Sequence, residues 1–159
     1  MNRFGEGLRY LYGRKMVVAT SDRTLAQSLI RFLDRYGVQV VYLADEQAVL
    51  REIQQRLYGT RRVYLAILID AVLARHILPH WRRALAVNPI LGETPVAVLC
   101  DQVEAQHWSQ VPQVRHVLPN PPGPRQMLKW LAAISRWRSF VHELEKRGQP
   151  PACLLTKTR

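Results

Sequence analysis

Seven consecutive apolar residues, Val63-Tyr64-Leu65-Ala66-Ile67-Leu68-Ile69, end abruptly at Asp70. The run is short for a helix and does not alternate apolar with polar, so it reads as a central strand covered on both faces. Such a strand demands helices above and below it. The flanking sequence supplies them. Met16-Val17-Val18-Ala19, Val38 to Leu43, Pro95 to Cys100 and Arg115 to Leu118 read as four further strands. Between them, Leu25, Ala26, Leu29, Ile30 and Leu33 keep helical spacing after Thr20-Ser21-Asp22, and Gly37 suits the left-handed position beyond that helix. Asp45 caps a second helical face of Ala48, Val49, Ile53 and Leu57, which Gly59 stops. Pro79 interrupts the next segment, so a helix is expected only from His80 to Ala86, before Asn88-Pro89. A short helix is expected within Val103 to Ser109, and a long one from Arg125 to Lys146 after the Pro-rich turn 119–124. Strands alternating with helices imply βα units, hence a three-layer α/β domain on a parallel sheet.

The 159 residues suit one domain, and 48% hydrophobic with 22% charged residues is an ordinary globular composition. No stretch approaches the ~18 apolar residues of a membrane span, and Arg3, Glu6 and Arg9 break up any signal-peptide core, so a cytoplasmic protein is expected. Two cysteines, Cys100 and Cys153, make neither a disulfide framework nor a cysteine-rich zinc site.

Order, element lengths and landmarks together resemble the receiver domain of bacterial response regulators over roughly residues 15–137. Gly37 after the first helix, Asp70 ending the central strand, Cys100 ending the fourth strand and Pro121 after the fifth carry the likeness. It implies a flavodoxin-like, doubly wound five-stranded sheet of order 2-1-3-4-5. Residues 1–14 are then an N-terminal amphipathic extension, 15–147 the receiver-like domain, and 148–159 a linker or flexible tail, as in one module of a longer protein.

The family's chemistry needs a phosphoacceptor Asp, two acids that hold Mg²⁺, a Ser or Thr and a Lys. Asp70 matches the acceptor; Thr20-Ser21 stand for the acidic pair, with Asp22 one residue further as a helix cap, Cys100 for the hydroxyl and Asn120 for the lysine. Mg²⁺ is a hard ion that favours carboxylates, and phosphoryl transfer to a carboxylate needs countercharge. The resemblance therefore implies a degenerate pocket of Thr20, Ser21, Asp22, Cys100, Asn120 and Pro121 around an inactive Asp70. In it, Asp70 is expected to accept hydrogen bonds from backbone N–H groups of the following loop. No cofactor and no metal is expected: His76 and His80 stand four apart with Pro79 between them, and neither a Gly-rich phosphate loop nor a nucleophile triad is present. An enzyme is not expected.

The charge gathers at the two ends. Residues 1–16 carry +3, 17–110 only +1, 111–147 +5 and 148–159 +2, which sum to the net +11. An acidic partner is implied, whether protein, nucleic acid or lipid. In the last helix Met127, Ile134 and Val141, with Trp130, Trp137 and Leu144, form a heptad seam. Its second half would be open to a second chain, or to cover by Phe4, Leu8, Leu11 and Tyr12 of the N-terminal extension. The leading expectation is a pseudo-receiver signalling module that binds a protein partner and dimerises through this seam, with Arg125, Arg136 and Arg138 alongside. The alternatives are a basic helix binding nucleic acid or a cyclic dinucleotide, with Trp130 or Trp137 stacking on bases, and a response regulator still phosphorylated on Asp70.

Overall fold

The computed structural model describes residues 8–59 and 63–148. Five parallel strands, β1 (Lys15–Ala19), β2 (Gln39–Leu43), β3 (Ile67–Asp70), β4 (Val96–Cys100) and β5 (His116–Pro119), form one sheet of order β2-β1-β3-β4-β5. The flavodoxin-like order expected from the sequence is the one observed. Helices α1 (Arg23–Asp34), α2 (Glu46–Arg56), α3 (Ala71–Val87), α4 (Ala105–Ser109) and α5 (Pro124–Lys146) alternate with the strands.

Successive strand residues feed opposite cores. Met16 and Val18, Leu68, Ala97 and Leu99, and Leu118 face a core closed by α1 and α5; Val17 and Ala19, Ile69, and Val98 and Cys100 face one closed by α2, α3 and α4. This two-sided burial is why the central segments are apolar without alternation. β3 is shorter than its apolar run, because only 67–70 carry full ladder pairing. Leu65 and Ala66 still join the sheet: the Leu65 N–H donates to Lys15 O at 2.7 Å, and the Val17 N–H to Ala66 O at 3.1 Å.

Pro79 does not delay α3, contrary to expectation; the helix starts at Ala71 and runs through the proline to Val87. Ala71, Ala74, Ile77, Trp81 and Ala84 make one continuous buried stripe on both sides of it, while Pro79 lies on the exposed side. Packing along that stripe outweighs the single lost backbone hydrogen bond.

In the described part of the N-terminal segment, Leu8–Leu11 form a 3-10 turn where an amphipathic α-helix was expected. Residues three apart eclipse in a 3-10 turn, so Leu8 and Leu11 drop together into the core beside Met127, Trp130, Leu131 and Ile134. Phe4 lies outside the described residues. Tyr12 is exposed at its outer edge but lies across Gly37, where φ is +73° and an added Cβ would run into the Tyr12 ring.

Of the two covers expected for the seam, a second chain or the N-terminal segment, the turn supplies the second beside Met127, Trp130 and Ile134. Met127, Trp130, Ile134 and Leu144 are all buried within the chain, so they do not form an interaction surface. Trp137 is half-buried, its ring covered by the Arg115 guanidinium at 4.1 Å from the centroid. The side chain of Val141, and the tail after Gly148, lie outside what is described.

Candidate functional site at the C-terminal edge of the sheet

Parallel register brings four strand ends to one edge. Ala19 pairs with Ile69, so Thr20 follows level with Asp70; Asp70 pairs with Leu99 and Cys100 with Pro119. The Asn120 N–H donates to Cys100 O at 3.1 Å, which fixes Asn120 beside that strand end. Thr20, Asp70, Cys100 and Asn120 therefore share the edge where the sequence reading put them, at the carboxyl ends of the strands where open α/β sheets bind ligands. Ser21, Asp22, Asn120 and Pro121 are exposed, and the Asn120–Pro121 peptide is cis.

Asp70 is only 6% exposed. Its backbone turns straight from β3 into α3, and its Oδ1 accepts from the Leu73 N–H at 2.8 Å, making it the N-cap of the longest helix on its face. Hydrogen bonding to backbone was expected, but its donor belongs to the first turn of a helix and not to a loop. Asp22 does the same for α1, accepting from the Leu25 N–H at 3.1 Å, as its position predicts. Both acids nearest the edge thus hold helix starts.

Asp101, just after β4, is a third acid there, its Oδ1 accepting from the Glu104 N–H at 3.0 Å; the remaining donors are neutral. Thr20 is fully buried; its Oγ1 accepts from the Asp22 N–H at 3.1 Å and its carbonyl accepts from the Tyr42 hydroxyl at 3.0 Å. Burial raises the pKa of the Cys100 thiol above its ordinary value, with Asp101 pushing the same way and Arg75 opposing, so at neutral pH it is a protonated, soft donor. Arg75, on α3, pairs with Glu104 in the segment after β4. That ion pair was not foreseen from the sequence, where 29 positions separate its members, and it engages a cation close enough to act on Cys100.

These residues do not fit Mg²⁺. The carboxylates of Asp70, Asp22 and Asp101 are each committed to a backbone N–H on their own element, and with neutral hydroxyls and a protonated thiol beside Asp70 they do not make the converging charged oxygen set that the ion requires. Among the described residues no three His, Cys, Asp or Glu side chains converge. Because α3 runs through Pro79, His76 and His80 stand one turn apart after all, but each has another neighbour: His76 Nδ1 is 4.0 Å from Glu46, and His80 Nδ1 contacts Arg83 at 2.8 Å.

On the outer side of α5 a different surface emerges. Arg125, Lys129, Arg136 and Phe140 recur at helical spacing and are all exposed, Phe140 by 51%; Arg147 follows just past the helix end, and the exposed Glu143, paired with Lys146 at 3.9 Å, is the one acid described on this side. Arg138 is half-buried. Lys129, Phe140 and Arg147 were missed because the heptad seam, the stronger periodic signal, drew attention to the buried side. Among the described residues no helix is long and apolar enough to cross a membrane.

No family model matches the chain, and no curated protein matches it in sequence. Solved structures do. A response regulator receiver domain from Clostridium thermocellum superposes with a TM-score of 0.62 at 13% identity, covering 80% of this chain and 98% of that one. A pilus assembly-related protein from Burkholderia pseudomallei gives 0.61 at 16%, covering 86% and 96%. An adenylate cyclase from Rhodopirellula baltica gives 0.60 at 14%, covering 84% and 95%. Response regulators or their receiver domains from Clostridium difficile, Francisella and Chloroflexus aurantiacus give 0.56 to 0.58, and a Vibrio cholerae chemotaxis protein gives 0.53. Strand order, the Asp-terminated central strand and these superpositions agree: the chain has the fold of the receiver domains of response regulators.

Proposed function

We propose that the chain is a pseudo-receiver, a signalling module that works through protein contact without phosphorylation of Asp70. The observation that carries this reading is the state of Asp70: buried, engaged as the cap of α3, and ringed by Thr20, Cys100 and Asn120 in place of acids and a lysine. A phosphoryl group there would add anionic oxygens, and Arg75, whose charge acts on neighbouring Cys100, is already paired with Glu104.

The contact surface is the basic stripe of α5, with Phe140 as its apolar anchor. Its charge favours a partner with an acidic face. A second copy of the chain docked in register would oppose basic stripe to basic stripe, so an acidic heterologous partner is favoured over a homodimer. The nucleic-acid reading loses its stacking residues, because Trp130 is 3% exposed and the Trp137 face is taken by Arg115.

Incubation with acetyl phosphate and Mg²⁺, followed by intact mass measurement, is expected to leave the protein unmodified. A gain of one phosphoryl group that disappears in Asp70→Asn would overturn the reading. In a capture experiment from the native host, the bound protein is expected to be the same for wild type and Asp70→Asn, and lost when Arg136→Glu and Phe140→Ala are combined.

A further inference from the structure

The open sheet ends in two edge strands, β2 and β5. An edge strand presents unpaired backbone N–H and C=O groups, which proteins ordinarily protect with charges, proline or a bulge. β5 is protected in this way, since it opens on His116 after Arg115 and closes on Pro119. β2 is not. Its five residues, Gln39-Val40-Val41-Tyr42-Leu43, include no charge, proline or glycine, and their register against β1 is unbroken from Gln39 to Leu43.

Two hydrogen bonds fix which way the backbone of β2 faces. The Gln39 N–H donates to Arg14 O at 2.8 Å and Leu43 O accepts from the Thr20 N–H at 3.1 Å, so both residues turn their backbone groups toward β1. Alternation along the strand turns those of Val41 the same way and those of Val40 and Tyr42 outward. No strand among the described residues lies beyond them. Two copies of β2 laid antiparallel about a two-fold axis through Val41 set Val40 of one against Tyr42 of the other. Both residues then present an outward N–H and an outward C=O, so each of the two pairs exchanges a bond in both directions.

Charge selects the same orientation. Asp45 and Glu46 follow the C-terminal end of β2, whereas the exposed Arg14 and Arg35 stand at its N-terminal end, with Asp34 as an acid beside them. Antiparallel pairing brings the acids of each copy to the cations of the other, twice; parallel pairing would set like beside like. We propose that the β2 edge is a self-association surface, on which a second copy of this chain adds its own β2 antiparallel and continues the sheet. The two-fold arrangement closes on itself, because each copy consumes its unprotected edge. It does not use the α5 stripe, where a symmetric second copy would oppose like charges.

The contact is small, so a dissociation constant on the order of 0.1 mM is expected. Sedimentation velocity of the full chain between about 0.02 and 1 mM measures it, at about 0.15 M salt, where repulsion between two net-positive chains is screened beyond about 8 Å. Val40→Pro removes an outward N–H and leaves the bonds to β1, a change that edge strands tolerate, and should weaken association about 10-fold or more. Arg35→Glu should weaken it about 3-fold or more, and Arg35→Glu combined with Glu46→Lys should restore it, which tests the pairing even if the proline variant does not fold. In a mixture of isotope-labelled and unlabelled copies, magnetisation transfer between Val40 and Tyr42 should cross from one copy to the other.

A chain that stays monomeric up to about 1 mM would overturn the proposal. So would a dimer that Phe140→Ala abolishes while Arg35→Glu leaves it intact, since that contact lies on α5, or a dimer whose cross-copy transfer leaves out Val40 and Tyr42. Protection of the Val40 and Tyr42 amides from hydrogen exchange that is independent of concentration would mean that the chain covers its own edge, and would overturn it as well.

Discussion

Trp130→Ala is expected to destabilise the protein by about 3–5 kcal/mol, the range for deleting a large aromatic side chain from a packed core. For a chain of this length that corresponds to a fall in melting temperature of roughly 6–20 °C. The side chain is 3% exposed and sits with Leu8 and Leu11 of the N-terminal turn on one side and the α1/α5 core of the sheet on the other. Its removal takes away the surface against which the turn is held. Trp137→Ala is the informative partner measurement. That ring is half-buried and meets Arg115, a contact worth about 0.5–1 kcal/mol at a partly exposed site, so its loss should cost far less than that of Trp130. Urea unfolding of both variants, monitored by circular dichroism, separates them. Equal losses would mean that the N-terminal turn does not close the seam as described.

The contrast between these two tryptophans shows what the amino-acid pattern could reveal. Seven-residue spacing correctly marks Met127, Trp130, Ile134 and Leu144 as one face of α5, but a periodic apolar face says only that something covers it. What covers its first half depends on Leu8–Leu11 at the other end of the chain folding as a 3-10 turn, and a turn of four residues has too few positions for a period to be read. Pro79 illustrates the opposite error. The local rule for proline is sound, and the buried stripe from Ala71 to Ala84 overrides it because the helix lies along an apolar sheet face. Strand identities were legible for a simpler reason: both faces are covered, so each strand shows as a dense apolar run.

The site was legible in part. Asp70, Thr20, Cys100 and Asn120 were placed together by the resemblance to receiver domains, and the parallel register, in which strand ends converge, brings them to one edge. The Arg75–Glu104 pair and the polar cluster of Glu52, Arg56 and Tyr64 were not, since charged partners on separate elements leave no spacing signature. The buried Trp108 Nε1 and Gln113 Oε1, which have no hydrogen-bond partner among the described residues, are the least legible feature of all. They arise only from the way α4 and the segment before β5 close over the sheet.

Asp70 is where fold and function can be separated experimentally. As a cap, its carboxylate satisfies a backbone N–H that is otherwise buried at the start of α3. Asp70→Ala removes the acceptor, costing about 1 kcal/mol or more for the cap and a further share of the roughly 1–3 kcal/mol that an unsatisfied buried donor carries. A total near 2–3 kcal/mol is expected, a drop of roughly 4–12 °C in melting temperature. Asp70→Asn keeps a side-chain oxygen in the same place, and Asn caps helices about as well as Asp, so its loss should stay within about 1 kcal/mol. The order Ala well below Asn, with Asn close to wild type, is what a capping role requires. If Asn were as damaging as Ala, the negative charge itself would be needed at this edge, and a cation would have to be sought beside it. If neither variant changed stability, the carboxylate would be free of structural duty, and its burial at the end of the central strand would have to be explained by chemistry performed there.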